Sequence, residues 1–73
     1  MGQIKFAIDL RLARRLAGLS QAALARKAGI DQSVLCKLET GVRKRPSYEV
    51  ALRLADALGI QPRELFLIQD DAA

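Results

Sequence analysis

The segment 20–41 constrains the fold of this 73-residue chain most strongly, because it has the pattern of two short helices separated by one tight turn. Ser20 is a good N-cap for a helix over 21–28, and Gly29 suits the left-handed residue that ends such a helix. A second helix is predicted over 32–39. Two helices joined by so short a turn cross at a steep angle, and the rest of the chain is expected to support this pair.

The second of these helices, capped by Asp31, has one apolar face and one polar face. Leu35 and Leu38 share the face that is expected to pack against Leu24 and Ala28 of the first helix. The opposite face is a stripe at helical spacing without any large apolar side chain. This polar stripe consists of Gln32, Ser33, Cys36 and Lys37.

The chemistry of the polar stripe suits the edges of base pairs in double-stranded DNA. Gln32 can form a bidentate pair with adenine, Lys37 can donate to guanine, and Ser33 can donate or accept. A second helix of this kind lies in the major groove, with its N-terminal residues nearest the bases. Gln21, at the start of the first helix, is expected to contact a backbone phosphate.

A basic run follows the second helix, and the whole chain carries a net charge of +4. We expect Lys44 and Arg45 to contact phosphates, while Arg43 belongs to the same run and its role stays open. A small basic domain attracts polyanions, although the same charge is compatible with an ordinary soluble surface. The charge therefore favours nucleic acid as a partner without deciding it.

Three further helices are predicted from apolar positions at helical spacing, over 6–17, 48–58 and 62–68. Hydrophobic residues make up 51% of the chain but aromatic residues only 4%, so the core should be aliphatic. We therefore expect residues 1–73 to form a single, compact, all-α domain of five short helices. Residues 1–5 are expected to form either a short extended arm or an additional helix.

The composition also excludes several kinds of site. Histidine is absent, and Cys36 is the only cysteine, so an internal disulfide and a Cys-based zinc site are excluded. We expect no enzymatic function, cofactor or metal, because no nucleophile–base pair and no metal-ligand cluster appears. No run approaches the ~20 apolar residues of a membrane span, and a lone thiol suits the cytoplasm. Cys36 is interpreted as a small filler side chain, with a redox switch as the alternative.

The chain resembles the Cro/C1-type (XRE-like, lambda-repressor-like) helix-turn-helix family from about residue 10 to residue 67. The fragments that carry the likeness, in this order, are Gly18-Leu-Ser-Gln-x-x-Leu-Ala, Ala28-Gly-Ile, Leu35-x-x-Leu-Glu-x-Gly, Arg45-Pro, Leu54-Ala-x-Ala-Leu-Gly-Ile and Glu64-Leu-Phe. The resemblance implies a sequence-specific DNA-binding transcriptional regulator of prokaryotic or phage origin, most simply a repressor. Ala23 departs from the family, which often has a glutamate there that completes a capping box.

The resemblance also implies roles for individual residues. It implies base contacts for Gln32, Ser33 and Lys37, phosphate contacts for Gln21, Lys44 and Arg45, and a structural ion pair between Arg14 and Glu39. Two of these roles keep a simpler alternative. Lys37 is equally well explained as a solvated lysine, and the basic run as a soluble loop.

The cluster Leu65, Phe66, Leu67 and Ile68 contains four consecutive apolar residues, which cannot all face inward from one short helix. Part of it is therefore a candidate dimer patch. A homodimer would bind a pseudo-palindromic operator with half-sites about 34 Å apart. The alternative on the same fold is an antitoxin or adaptor-type protein-interaction module, with Leu67 and Ile68 contacting a partner protein such as a toxin.

Overall fold

The computed structural model describes residues 2–42 and 46–70. The described elements are, in chain order, β1 (Gly2–Phe6), α1 (Leu10–Leu16), α2 (Gln21–Ala28), α3 (Gln32–Thr40), α4 (Tyr48–Leu58), α5 (Pro62–Leu65) and β2 (Phe66–Asp70). The prediction of five short helices is confirmed. The two strands are an addition to the all-α architecture that the sequence predicts.

The three central helices, α2, α3 and α4, begin where the capping residues predict. Ser20 Oγ accepts a hydrogen bond from the Ala23 N–H at 3.0 Å, and Ser47 Oγ accepts one from the Val50 N–H at 3.2 Å. Asp31 occupies the N-cap position of α3, but its carboxylate accepts no capping hydrogen bond. The bounds of α2 and α4 coincide with the predicted ones, and α3 continues one residue further.

The first helix is shorter than the predicted range 6–17. The Asp9 carboxylate accepts hydrogen bonds from the backbone N–H groups of Arg11 and Leu12, at 2.9 and 3.3 Å, and so begins α1 at Leu10. β1 covers Gly2–Phe6, so the described part of residues 1–5 is an extended arm and not an additional helix.

The last helix also ends earlier than predicted, at Leu65 instead of Ile68. Its one turn is closed by the Glu64 carboxylate, which accepts from the backbone N–H of Gln61 at 3.0 Å. From Phe66 onward the chain is a strand paired with β1, and Phe66 and Ile68 are of residue types that suit a pleated ladder better than a helix. The prediction of helix over 66–68 was therefore wrong.

The two strands pair antiparallel and join the ends of the described chain. Ile4 lies opposite Ile68 and Phe6 lies opposite Phe66 in the register. Just beyond the sheet, the Ala7 N–H donates a backbone hydrogen bond to the Leu65 carbonyl at 2.8 Å. This sheet adds a small β layer to the helical domain.

The core is almost entirely aliphatic, as the composition predicts, and Phe66 is the one aromatic residue among the buried residues of the described chain. α2 packs against both α3 and α4, and the buried alanines of α4 let the helix backbones approach closely. The largest fully buried side chains are Leu24, Leu35, Leu54 and Leu65. Within the described ranges, no helix has the length and apolar character needed to cross a bilayer.

Candidate nucleic-acid interface

The turn between α2 and α3 sets the angle at which the second helix leaves the first. Gly29 ends α2 in the left-handed conformation with a φ of +71°. The next N–H, that of Ile30, donates to the Ala25 carbonyl at 3.0 Å, so the end of α2 is closed by its own backbone. Arg53 of α4 donates to the Gly29 carbonyl at 3.3 Å and so links this turn to α4 at the surface.

The inner face of α3 anchors the helix in the core. Leu35 and Leu38 are both buried, as are Leu24 and Ala28 on the facing side of α2. The predicted inward-facing residues of the helix pair are thereby confirmed. Because the inner face is fixed by apolar packing, the orientation of the outer face is fixed as well.

The outer face of α3 is polar and exposed. The four members of the predicted stripe, Gln32, Ser33, Cys36 and Lys37, are all exposed, and the structure brings them together along one side of α3. The first two lie in the opening turn of the helix, the end that typically reaches the bases in a major groove. Whether they contact bases stays a prediction.

An ion pair holds the C-terminal end of α3 against α1. Arg14 Nε donates to Glu39 Oε2 at 2.7 Å, and Arg14 NH2 donates to Glu39 Oε1 at 3.1 Å. The Glu39 side chain has no exposed area, and that of Arg14 is only 13% exposed. The hydrogen bonds to Glu39 raise the pKa of Arg14 above its usual value, so the guanidinium stays charged. The structure thus contains the pair that the family resemblance implies.

The third guanidinium nitrogen of the same arginine serves a different purpose. Arg14 NH1 donates to the backbone carbonyl of Leu19, in the segment between α1 and α2, at 3.0 Å. A second arginine, Arg11, lies with its Nε 3.7 Å from Glu39 Oε1 and is more exposed. The sequence alone did not connect Arg11 with this carboxylate.

Gln21 links the ion pair to the polar stripe. Its Nε2 donates to Glu39 Oε1 at 3.3 Å, and its Oε1 accepts a hydrogen bond from Gln32 Nε2, also at 3.3 Å. The sequence predicts a phosphate contact for Gln21 but not this bridge. The available signal was positional, since Gln21 and Gln32 are the first residues of α2 and α3.

The predicted phosphate-binding run lies outside the described residues. Its members are Arg43, Lys44 and Arg45. Their contribution to an interface therefore remains a prediction from the sequence.

The C-terminal apolar cluster divides into a buried part and an exposed part. Leu65 and Phe66 are buried in the core, so they offer little surface to a partner, and the role of the cluster as a dimer patch stays a prediction. Leu67 is 52% exposed, and Tyr48 at the start of α4 is exposed to the same extent. The Tyr48 and Phe66 rings meet edge to face, with centroids 6.0 Å apart. A groove of about 270 Å³ at this place is lined by Tyr48, Pro62, Arg63, Phe66 and Leu67.

Metal-ligating residues do not cluster in the part of the chain that the structure describes. In ranges 2–42 and 46–70, no three or more of the His, Cys, Asp and Glu side chains are arranged to hold an ion.

Comparison with known proteins places this geometry in a family. The sequence model of the helix-turn-helix family matches residues 10–65. An uncharacterised helix-turn-helix-type transcriptional regulator of Methanocaldococcus jannaschii is 31% identical over 62 residues, which are 85% of this chain and 92% of that protein.

Two solved proteins share the fold at appreciable identity. The restriction-modification controller protein C.AhdI from Aeromonas hydrophila is 45% identical with a TM-score of 0.72, over 77% of this chain and 83% of that chain. The biofilm master regulator SinR of Bacillus subtilis, solved in complex with DNA, is 26% identical with a TM-score of 0.71, over 74% and 86%. SinR in a complex with SinI matches with the same identity and TM-score, over 74% of this chain and 52% of that chain. The chain therefore belongs to the Cro/C1-type helix-turn-helix family of DNA-binding transcriptional regulators.

Proposed function

We propose that this regulator recognises a specific DNA sequence by placing the outer face of α3 in the major groove. The observation that carries the proposal is the exposed polar stripe on a helix whose opposite face is buried in the core. A rigid helix with hydrogen-bonding groups directed away from the protein is what direct readout of base edges requires. The structure of SinR in complex with DNA supports DNA binding by this fold.

Individual roles follow from the chemistry of each side chain. Gln32 would read adenine, Ser33 would donate or accept beside it, and Lys37 would read guanine or remain solvated. Cys36 is the small side chain between them on the same face. Phosphate contacts are assigned to Gln21 and to the basic run, Arg43, Lys44 and Arg45.

A single substitution on the stripe tests the proposal. Gln32→Ala should cost about 1–3 kcal/mol of binding free energy and relax the preference at one base pair. The measurement is selection from a randomised duplex pool, followed by competition binding at one fixed salt concentration. Gln61→Ala, an exposed glutamine at the start of α5, is the matched control and should leave the preference unchanged. An unaltered preference in Gln32→Ala would show that α3 is not the reading helix.

The basic run calls for a different kind of measurement, because phosphate contacts carry no sequence information. Lys44→Ala should weaken binding to all duplexes alike. It should also make the negative slope of the logarithm of the binding constant against the logarithm of the salt concentration shallower by about 0.9. Lys27→Ala, an exposed lysine on α2, is the matched control.

We also propose that the protein binds its operator as a homodimer. Each chain offers one α3, and two copies related by a two-fold axis would read half-sites about 34 Å apart on a pseudo-palindromic operator. The groove beside Tyr48 and Leu67 is the assigned contact surface, since it is apolar and exposed. Leu67→Glu should shift the protein toward monomer in sedimentation equilibrium and weaken binding to the full operator more than to a half-site.

A second candidate function uses the same groove for a different protein. An adaptor or antitoxin would bind a partner chain, such as a toxin, through the exposed Leu67, and the complex of SinR with SinI favours keeping this alternative. A salt titration on random-sequence duplex separates the two, because a pure adaptor would show little affinity for DNA. Retained DNA binding together with capture of a partner would show that both roles coexist.

The regulatory role is best sought near the protein's own gene. We propose repression in the cytoplasm, where the chromosome is accessible, and the 45% identity to a restriction-modification controller protein supports a regulatory role. Footprinting across the flanking DNA should reveal one protected, partly palindromic segment that overlaps a promoter.

A further inference from the structure

We propose that the buried Glu39 carboxylate determines which way round the Gln32 amide faces the DNA, acting through Gln21. This proposal rests on the proposed function, since it concerns how α3 chooses a base. Glu39 and Gln21 are positioning residues in this scheme, and Gln32 is the residue that contacts the base. The chain of hydrogen bonds runs from the ion pair at the end of α3 to the first residue of the same helix.

The first link fixes the orientation of Gln21. An ionised carboxylate only accepts hydrogen bonds, so the Gln21 amide must present its nitrogen to Glu39, as it does at 3.3 Å. Reversing that amide would place two oxygens against each other beside a fully buried group. Because the Glu39 side chain is shielded from solvent, water gives such a contact little relief, and the bidentate bond from Arg14 holds Glu39 in place.

The second link transfers this orientation to the polar stripe. Because the Gln21 nitrogen donates to Glu39, the Gln21 oxygen faces Gln32. That oxygen accepts a hydrogen bond from Gln32 Nε2 at 3.3 Å. The Gln32 amide keeps its oxygen and its second N–H for an external partner. That combination of one acceptor and one donor matches the N6 amino group and the N7 of adenine.

A fixed amide discriminates better than a free one. A glutamine that turns freely can offer donor and acceptor in either order, and so tolerates a base pair that presents the reversed order. A glutamine held in one orientation accepts only one order of donor and acceptor in the groove. The relay from Glu39 should therefore sharpen the choice of base at the position that Gln32 reads, without adding any contact to DNA.

The test compares two substitutions that break the relay at different links. Glu39→Gln replaces an acceptor-only group with an amide of similar shape, and Gln21→Met removes the polar bridge but leaves the buried ion pair. Both substitutions should reduce discrimination between the four base pairs, at the base-pair position that Gln32 reads, by about tenfold. This loss lies within the range of discrimination that one bidentate contact to a base provides. Discrimination at the other positions should remain as in the wild type.

Two controls separate this effect from general loosening of the fold. Leu58→Ala in α4 destabilises the domain at a partly buried position of α4 and should leave discrimination at every position intact. The second control measures the relay in the absence of DNA. The side-chain amide ¹⁵N–¹H signals of Gln21 and Gln32 should both shift in Glu39→Gln, and the Gln32 signals should also shift in Gln21→Met.

The outcomes distinguish the inference from the function on which it rests. If Gln32→Ala relaxes the preference but Glu39→Gln and Gln21→Met keep wild-type discrimination, the relay is overturned while the reading helix stands. If Gln32→Ala has no effect on preference, the proposed function fails and the relay's role fails with it. Unshifted Gln32 amide signals in both relay variants would also overturn the inference.

Discussion

Arg14 and Glu39 form a bidentate ion pair between α1 and the end of α3, with donor–acceptor distances of 2.7 and 3.1 Å and no exposed area on the carboxylate. The residues are 25 positions apart, so the pair is a tertiary contact. At the other end of α3, the turn at Gly29 is held by Arg53. The helix that carries the polar stripe is thus secured at both ends by an arginine from another helix.

Removing one partner of the ion pair should be costly. Arg14→Met leaves a buried carboxylate without its main cation, and we expect a loss of about 3–5 kcal/mol in the free energy of unfolding. Urea denaturation followed by circular dichroism measures this loss. The matched comparison is Glu49→Gln, which breaks the exposed pair with Arg53 and should cost less than about 1 kcal/mol.

The pH dependence of this pair has a definite sign on the arginine side. The pKa of Arg14 is raised in the folded protein, so its contribution is complete below the pKa of an unfolded arginine and is lost only as the pH rises through the raised value. The difference between wild type and Arg14→Met should stay constant from about pH 6 to 10. A difference that shrinks within this interval would mean that another titrating group controls the carboxylate.

The central helix pair was predictable because its signals are local. Ser20 and Ser47 are caps that act on residues three positions away, and helical periodicity assigned Leu35 and Leu38 to the inner face. The ion pair could be predicted only from the family resemblance, because no local sequence rule connects Arg14 with Glu39.

The strands and the glutamine bridge depend on contacts that the sequence does not encode locally. β1 pairs with a strand at the far end of the chain, and four consecutive apolar residues do not show whether they continue a helix or begin a strand. The contact between Gln21 and Gln32 requires the crossing of α2 and α3 to be known to within a hydrogen-bond length. Local patterns predict that a crossing exists but not its angle.

The anchoring of α3 can be measured with one type of substitution at two sites. Leu35→Ala removes a fully buried side chain from the inner face of α3 and should cost about 2–5 kcal/mol of stability. Leu16→Ala removes the same atoms from a side chain that is 80% exposed and should change stability by no more than about 0.5 kcal/mol. A large cost at Leu16 would show that this leucine is covered in solution, for example by a second copy.

A substitution at Gly29 should affect both the stability of the domain and the orientation of α3. Gly29→Ala should cost about 1–2 kcal/mol, because the left-handed conformation is unfavourable for a residue with a Cβ. The new Cβ would lie 3.1 Å from Arg53 NH1, so that side chain must move and its bond to the Gly29 carbonyl is disturbed. Calorimetry measures the cost, and DNA binding measures any change in the presentation of α3.

Gly18→Ala is the matched control for the turn. Gly18 has nearly the same φ, +73°, but a Cβ there would meet no atom within 4 Å. It should show a similar loss of stability with unchanged DNA affinity under conditions where both variants are folded. Equal affinities for the two variants would mean that the Gly29 turn does not control how α3 is presented.

Cys36 offers a chemical test of the polar stripe. Its thiol is exposed on the same face of α3 as Gln32 and Lys37, so a maleimide should react with the folded protein. The added group projects from the middle of the stripe and should prevent docking in a groove about 12 Å wide. We expect the modified protein to retain its thermal midpoint and helical circular dichroism while losing sequence-specific DNA binding, and bound operator should slow the reaction.

Cys36→Ser is the control, because it cannot react with the maleimide and should bind operator before and after treatment. The same variant separates the two interpretations of the thiol. A redox switch predicts that mild oxidation weakens operator binding in the wild type, that a reductant restores it, and that Cys36→Ser is insensitive. If Cys36 is only a filler side chain, the wild-type protein should keep its operator affinity after oxidation and after reduction. Modified protein that binds operator as tightly as unmodified protein would show that the outer face of α3 lies away from the DNA.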